Sequence, residues 1–158
     1  LKFAKLDNAN KRDGKLNNVI LERADLSKAK CYNSSFENVN FERAYLESIR
    51  IWNSNLKGAN LKGAYLKGAD LKKSNLENAD LSGATLENAD LTGVNLKGAD
   101  LRNAYWKFAK LDNANIRDAK LNNVILERAD LTKATCYNSS FENVNFERAY
   151  LESIRICN

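Results

Sequence analysis

Apolar side chains return along this chain at every fifth position. Counting in fives from Leu1, every such position except Lys11 is apolar, and from Leu56 to Leu101 each one is leucine. A second column, two residues before each large one, holds mostly small residues such as Ala59 and Ala64. An α-helix needs apolar positions spaced by 3.6 residues on average, and a half-buried strand needs alternation. The period of five fits neither, and it predicts a chain that turns at a fixed interval.

The position two after each large residue predicts where the chain turns. Most of these positions hold glycine or asparagine, for example Gly58, Gly63 and Asn78. Both residues tolerate positive φ better than the others. We expect a short extended segment with one large and one small inward side chain, followed by a type II-like turn. Successive coils then stack at about 4.8 Å, with leucine on leucine and alanine on alanine.

Units such as residues 59–63, Ala-Asn-Leu-Lys-Gly, closely resemble the pentapeptide-repeat family, whose pattern is A(D/N)LXX. The resemblance covers residues 1–158, which we interpret as a single solenoid. It implies an all-β fold, a right-handed quadrilateral parallel β-helix with about 20 residues per coil and about eight coils. Many family members carry a terminal cap, helix or protruding loop, and none is evident in this sequence.

A longer repeat overlies the period of five, because residues 3–53 recur as residues 108–158. The offset of 105 residues is 21 pentapeptides, so coils of four pentapeptides rotate the second copy by one side. The copies differ at five of 51 positions: Lys11/Ile116, Gly14/Ala119, Ser27/Thr132, Lys30/Thr135 and Trp52/Cys157. Such identity indicates recent duplication or deliberate engineering. A lysine is tolerated at position 11 because the first coil leaves its amine a path to solvent, whereas at position 116 it would bury a charge.

Composition argues against catalysis. The 158 residues include no histidine, and the three cysteines, Cys31, Cys136 and Cys157, lack the spacing of metal ligands. Asp70 and Asp90 fall in one exposed column with no insertion to form a cleft around them. We therefore expect no catalytic, cofactor-binding or metal-binding residues, no cofactor and no enzymatic activity.

Charge and cysteine usage set expectations for partners and compartment. Lys and Arg number 25 against 20 Asp and Glu, a net charge of +5, but the signs are interleaved along the chain. Interleaving predicts a solvated surface, so nucleic acid is not favoured as a partner. No apolar run reaches the length of a membrane span. Cys31 and Cys136 would lie about five coils apart, too far to bridge, which favours a reduced, cytoplasmic protein.

One outward column offers a candidate partner-binding face. Read in coils of twenty, this column holds Tyr45, Tyr65 and Tyr105, and Lys67, Lys107 and Phe108 lie close by on the same face. Aromatic residues beside lysines are typical anchors for a protein partner or a nucleic-acid base. The alternative is that the tyrosines only stack between coils and stabilise the rod. Asn55, Asn75, Asn95 and Asn115 form a similar column, for which we expect a structural ladder of amides.

These features favour a non-enzymatic scaffold or protein-interaction rod. Open coil ends expose unpaired backbone groups, which is consistent with a homodimer or end-to-end assembly, and the alternative is that the chain is a fragment of a longer solenoid. The family resemblance implies one alternative, a DNA-mimic modulator of DNA gyrase or another type II topoisomerase, which a net positive charge disfavours. Another alternative is an engineered solenoid with no natural partner.

Overall fold

The protein forms a right-handed, four-sided parallel β-helix, as the resemblance to pentapeptide repeats implies. The computed structural model describes residues 1–156, and Cys157 lies outside them. Each side of a coil pairs with the next coil through a single bridged residue rather than a longer strand, and residues 1–156 contain no helix. Every bridge is parallel and joins residues 20 apart, from Lys5 with Asp25 to Thr135 with Arg155. Four pentapeptides therefore complete one coil.

Backbone hydrogen bonds repeat with the same register. Around the second side of the first coil, Leu6 N–H donates to the Asp25 carbonyl at 2.7 Å, and Asn8 N–H donates to the Ser27 carbonyl at 2.9 Å. Asp25 N–H donates back to the Ala4 carbonyl at 2.9 Å. Three bonds per pentapeptide tie each coil to its neighbour, so the backbone groups of the inner coils are satisfied by coils on both sides.

Each corner is a tight turn whose third residue has positive φ. The predicted glycines and asparagines adopt it, with φ of 66° at Gly58 and 57° at Asn78. The same conformation is imposed on residues that disfavour it, including Arg43 at 54° and Phe108 at 59°. A left-handed conformation costs a residue with a Cβ roughly 1–2 kcal/mol. Inter-coil bonds and core packing at each corner outweigh that cost, so the repeat, not the corner residue, determines the turn.

The two inward columns fill the interior of the rod. Leu61, Leu81 and Leu101 are all buried, and the alanines of the small column lie between them. Lys11 occupies a large inward position of the first coil and remains exposed, whereas Ile116, its counterpart in the second copy, is 1% exposed. The structure therefore agrees with the sequence interpretation of that difference.

Buried serines in the small column carry hydrogen bonds between coils. Gly14 N–H donates to Ser34 Oγ at 2.9 Å, and that hydroxyl donates to the Lys11 carbonyl at 3.1 Å. The hydroxyl thus takes the place of the direct bond that closes most other corners, such as Ala9 N–H to the Leu6 carbonyl at 3.0 Å. The same arrangement recurs at three other corners, where the hydroxyl from the following coil accepts from the corner N–H and donates to the corner carbonyl. These hydroxyls belong to Ser54, Ser74 and Ser139. These serines are buried polar groups whose bonding capacity is used.

The expected asparagine ladder is confirmed. Asn95 Nδ2 donates to Asn75 Oδ1 at 2.9 Å, and Asn115 Nδ2 donates to Asn95 Oδ1 at 2.9 Å. A longer bond of 3.4 Å joins Asn75 to Asn55. The side-chain amides follow the same 20-residue register as the backbone, so this column stabilises the stacking of coils.

Candidate functional site

Two tyrosines stack on the outside of the rod. They lie on the tyrosine face, by which we mean the side formed by residues 4–8 and every twentieth residue after each of them. Tyr45 and Tyr65 are bridged neighbours in successive coils, with ring centroids 5.2 Å apart and planes 10° from parallel. Their side chains remain 51% and 49% exposed. Because about half of each ring is still in water, stacking between coils leaves a large apolar surface available.

Tyr105 belongs to the same column but lies apart from this pair. Thr85 is bridged to Tyr65 on one side and to Tyr105 on the other, so one coil lies between Tyr65 and Tyr105. Tyr105 is also less exposed, at 36%. The predicted column of three aromatic residues is therefore a stacked pair and a separate third ring.

The basic residues predicted for this face are engaged with acidic neighbours. Lys67 Nζ lies 3.7 Å from Glu87 Oε1, and Lys107 Nζ lies 2.9 Å from Glu127 Oε1. The hydrogen bond to Glu127 raises the pKa of Lys107 above its usual value. Exposed pairs of this kind contribute about 0–1 kcal/mol. Their main effect here is to neutralise the charge that each lysine would offer to a partner.

Phe108 is held at a corner between two cations. Lys107 Nζ lies 5.2 Å and Arg128 Cζ 5.6 Å from the centroid of its ring. Cation–π contacts at this distance contribute about 0.5–1 kcal/mol at exposed sites. Phe108, Lys107 and Tyr105 therefore form one cluster, and Tyr45 and Tyr65 form another, on the same face.

Two arginines that the sequence analysis did not single out complete the Tyr45–Tyr65 cluster. Arg23 and Arg43 project from the adjoining corner, and together with Phe3 and the two tyrosines they line a groove of about 340 Å³. Arg23 Cζ also lies 5.9 Å from the centroid of the Phe3 ring. The sequence contained a signal for these arginines, because Arg23 and Arg43 are 20 residues apart and Arg43 precedes Tyr45 by two positions.

A second aromatic stack lies on an adjacent side of the rod. The tryptophan face is the side formed by residues 9–13 and every twentieth residue after each of them. Tyr32 and Trp52 stack there with centroids 4.5 Å apart and planes 9° from parallel, and Arg12 Cζ lies 5.1 Å from the Tyr32 centroid. Reading every twentieth residue from Arg12 would have revealed this row, which the sequence analysis missed.

The groups most suited to catalysis are engaged or buried. Lys72 Nζ lies 3.3 Å from Asp70 Oδ2 and 3.8 Å from Asp90 Oδ2, so the two stacked carboxylates share a cation. Burial raises the pKa of the Cys136 thiol to about 11, and burial likewise raises the pKa of Cys31. A thiol with a raised pKa is protonated at neutral pH and is a poor nucleophile. The carboxylates are therefore held in ion pairs, and the thiols are buried in the core, where they are poor nucleophiles.

Across residues 1–156, no three His, Cys, Asp or Glu side chains gather as a metal site would require. The same residues form no helix with the length and apolar character needed to cross a bilayer.

Comparison with known proteins identifies a repeat family. The family described as "Pentapeptide repeats" matches eight copies, over residues 4–43, 40–78, 72–105 and 109–148. No curated protein matches the chain.

Solved structures of pentapeptide repeat proteins resemble this one. QnrB1, a plasmid-mediated fluoroquinolone resistance protein, is 16% identical with a TM-score of 0.64, over 100% of this chain and 91% of its own. A pentapeptide repeat protein from Nostoc PCC 7120 is 32% identical with a TM-score of 0.51, over 65% of this chain and 84% of its own. One from the Arabidopsis thaliana thylakoid lumen is 26% identical with a TM-score of 0.55, over 56% and 62% respectively.

Proposed function

Because this chain belongs to the pentapeptide repeat family, we propose that it is a non-enzymatic interaction scaffold, a rigid rod that binds a protein partner on the tyrosine face. The observation that carries the proposal is the Tyr45–Tyr65 stack, half exposed beside a groove lined by Arg23 and Arg43. Tyrosine and arginine are the residues most enriched among those that dominate protein–protein binding energy.

The geometry of this cluster fits a role in partner binding better than a purely structural role. If stacking between coils were its only role, one face of each ring would suffice, and the arginines at the corner would be unnecessary. Arg23 and Arg43 instead border the groove beside the rings, where their guanidinium groups can bond carboxylates or backbone carbonyls of a bound segment. The regular backbone holds all four side chains on a rigid support, which reduces the entropy lost on binding.

A rod of this construction also offers little to support catalysis. The interior is filled by the large and small columns, and Asp70 and Asp90 are both paired with the Lys72 ammonium. A catalytic carboxylate pair needs a site that excludes water and separates the two pKa values. These features support the assignment to binding rather than to chemistry.

Removing both rings of the pair is expected to weaken partner binding while leaving the rod folded. In Tyr45→Ala/Tyr65→Ala, we expect at least a tenfold loss of affinity for the partner, since central aromatic anchors each contribute about 2 kcal/mol or more. Tyr150→Ala is the matched control, because Tyr150 is 65% exposed on a different face. Photo-crosslinkers placed at positions 65 and 150 in the native host would identify the protein that contacts each face.

Two results would contradict this assignment. The first is a crosslinked partner that depends on position 150 and not on position 65. The second is a partner whose binding is unchanged in the double variant, with circular dichroism showing that both proteins are folded.

For the polypeptide of residues 1–158, we further propose association through the coil ends. Leu1 and Phe3 are 69% and 63% exposed in the first coil, and Leu151 and Ile156 are exposed in the last described coil. Stacking one chain on another would repeat the 20-residue bonding register and cover these side chains, and in a longer polypeptide flanking coils would do the same. Light scattering is expected to show a mass that rises with concentration, and a strict monomer at high concentration would contradict the proposal.

We propose the cytoplasm as the compartment, on the basis of the cysteines. Cys31 and Cys136 are buried free thiols in different parts of the rod. Reduced, unpaired cysteines are typical of proteins in a reducing compartment.

The gyrase-modulator alternative has no support specific to this chain. The likeness to QnrB1 is a likeness of fold, and the net charge of +5 is opposite to the acidic surface that a DNA mimic needs.

A further inference from the structure

The stack on the tryptophan face ends in an open groove. Its order along the rod is Arg12, Tyr32 and Trp52, with Tyr32 covered on one side by the guanidinium and on the other by the indole. The next residue in this row is Lys72, which supplies no ring. A groove of about 440 Å³ lies there, lined by Trp52, Asn53, Lys72 and Lys73. A flat ring entering this groove would continue the stack on the free face of Trp52.

Cations without acidic partners surround this stack. Within residues 1–156, four of them form no ion pair with a carboxylate, and they are Arg12, Lys30, Arg50 and Lys73. Lys30 and Arg50 are also bridged directly to each other, in the same coils as Tyr32 and Trp52, and Asp70 is bridged to Arg50 on its other side. Like charges placed opposite each other on neighbouring strands are destabilising. An anion bound between them would relieve that repulsion.

From this arrangement we propose that the tryptophan face of the first four coils binds single-stranded nucleic acid. One base stacks on the free face of Trp52, and the phosphates on either side of it contact Lys73 and the Lys30–Arg50 pair. Non-specific single-strand sites combine these two elements, aromatic rings that stack on bases and a basic path that follows the backbone. The linear sequence hides this patch, because most of the acidic residues between its members, such as Glu22, Glu37 and Glu47, lie on other faces of the rod.

Acidic residues limit how far the site extends. Asp70 and Asp90 hold Lys72 at 3.3 and 3.8 Å, so that lysine is not free for a phosphate. Asp13 lies beside Arg12 at the other end of the row. These carboxylates lie at both ends of the site, and Lys30 and Arg50 occupy the two coils between Asp13 and Asp70. We therefore predict a binding site of a few nucleotides.

The internal duplication supplies a matched second copy from which the site has been lost. Arg117 and Tyr137 repeat the contact of Arg12 with Tyr32, at 5.0 Å from guanidinium carbon to ring centroid. The residues corresponding to Lys30 and Trp52 are Thr135 and Cys157, so two of the five differences between the copies remove a central cation and the stacking ring. The other three differences fall outside the proposed contacts.

The test is direct binding of a labelled oligothymidylate of about 12 nucleotides to the 158-residue protein at low salt. Fluorescence anisotropy follows the oligonucleotide. Indole emission follows the protein in a Trp106→Phe background, where Trp52 is the remaining tryptophan. We expect saturable binding that quenches Trp52 and weakens linearly with the logarithm of salt concentration.

Two substitutions replace residues of the proposed site with those at the corresponding positions of the second copy. Trp52→Cys is expected to weaken binding by about tenfold, the effect of losing one base–aromatic stack. Lys30→Thr is expected to reduce the salt slope by about one, because one phosphate contact is lost. Arg117→Ala is the control, since it removes an equally placed cation from the copy that lacks the site, and it should leave binding unchanged.

Several outcomes would overturn the proposal. They are the absence of binding at low salt, and binding that Trp52→Cys and Lys30→Thr leave unchanged. Quenching of Trp52 by a thymidine mononucleotide at the concentration effective for the oligonucleotide would assign the site to a free nucleotide. Displacement of the oligonucleotide by polyglutamate at equal charge concentration would assign it to an acidic protein segment.

Discussion

Replacing Ile116 with lysine is expected to destabilise the rod by about 4 kcal/mol at neutral pH. Ile116 is 1% exposed, and its neighbours in the inward column, Leu96 and Cys136, are also buried. Burial lowers a lysine pKa by up to about 3–5 units, and each unit corresponds to about 1.4 kcal/mol. The buried amine would also have no partner among the apolar side chains around it.

The duplicated position provides the control for this prediction. Lys11→Ile places the residue of the second copy into the first coil, where Lys11 is already exposed. We expect a change within about 1 kcal/mol, as for most exposed substitutions. Urea unfolding followed by circular dichroism measures both variants, and hydrogen exchange would locate the loss in Ile116→Lys to the coils around residue 116.

The pH dependence of Ile116→Lys has a definite sign. A buried lysine with a lowered pKa binds fewer protons in the folded state than in the unfolded state, so stability rises with pH between the two pKa values. The deficit relative to wild type should therefore shrink as pH approaches about 10. A variant as stable as wild type at pH 7, or a deficit that grows with pH, would contradict the assignment of position 116 to the core.

Truncating Phe41 to alanine is expected to cost about 3–5 kcal/mol. Phe41 is fully buried between Leu21 and Leu61 in its column, and its ring centroid lies 5.6 Å from that of Phe36. Because each coil packs only on its neighbours, a cavity in one coil weakens both of its interfaces. The loss is measured as a lower urea midpoint with a reduced free energy of unfolding.

Phe146→Ala tests the same substitution in the same local sequence, but in a coil where the ring is less buried. Phe146 is the counterpart of Phe41 and packs at 5.9 Å from Phe141, but it is only partly buried in the last described coil. Less apolar area leaves water when it packs, so we expect less than half the cost of Phe41→Ala. Equal losses at the two positions would show that local sequence, and not coil position, governs the contribution of these rings.

The repeat allowed much of the fold to be predicted residue by residue. Leu61, Leu81 and Leu101 were expected inside and are buried, and the ladder from Asn75 to Asn115 was expected and is present. At the corners the prediction was incomplete, since Arg43 and Phe108 adopt positive φ although neither residue favours it. Local preference failed there because bonds between coils impose the turn on whatever residue occupies the corner.

The candidate sites were less predictable, because they depend on contacts between coils. The sequence placed Tyr45, Tyr65 and Tyr105 in one column, but whether rings touch depends on which coils are adjacent. Lys107 was expected on the candidate partner-binding face, and its ion pair with Glu127 depends on side-chain geometry that no periodicity specifies. The position of Arg43 beside Tyr45 could be read from the sequence, but the groove that it lines with Arg23 and the tyrosines exists only where the corner between two faces is formed.

The sequence by itself determined which side chains point inward and where the chain turns, because the period of five acts through local geometry and burial. The number of sides in a coil is not contained in that period, and the expectation of four came from family resemblance. Only the tertiary structure placed residue i on residue i+20, through the hydrogen bonds between coils. That register decided which outward groups meet, so the stack of Tyr32 on Trp52 and the repulsion between Lys30 and Arg50 exist only in the assembled rod.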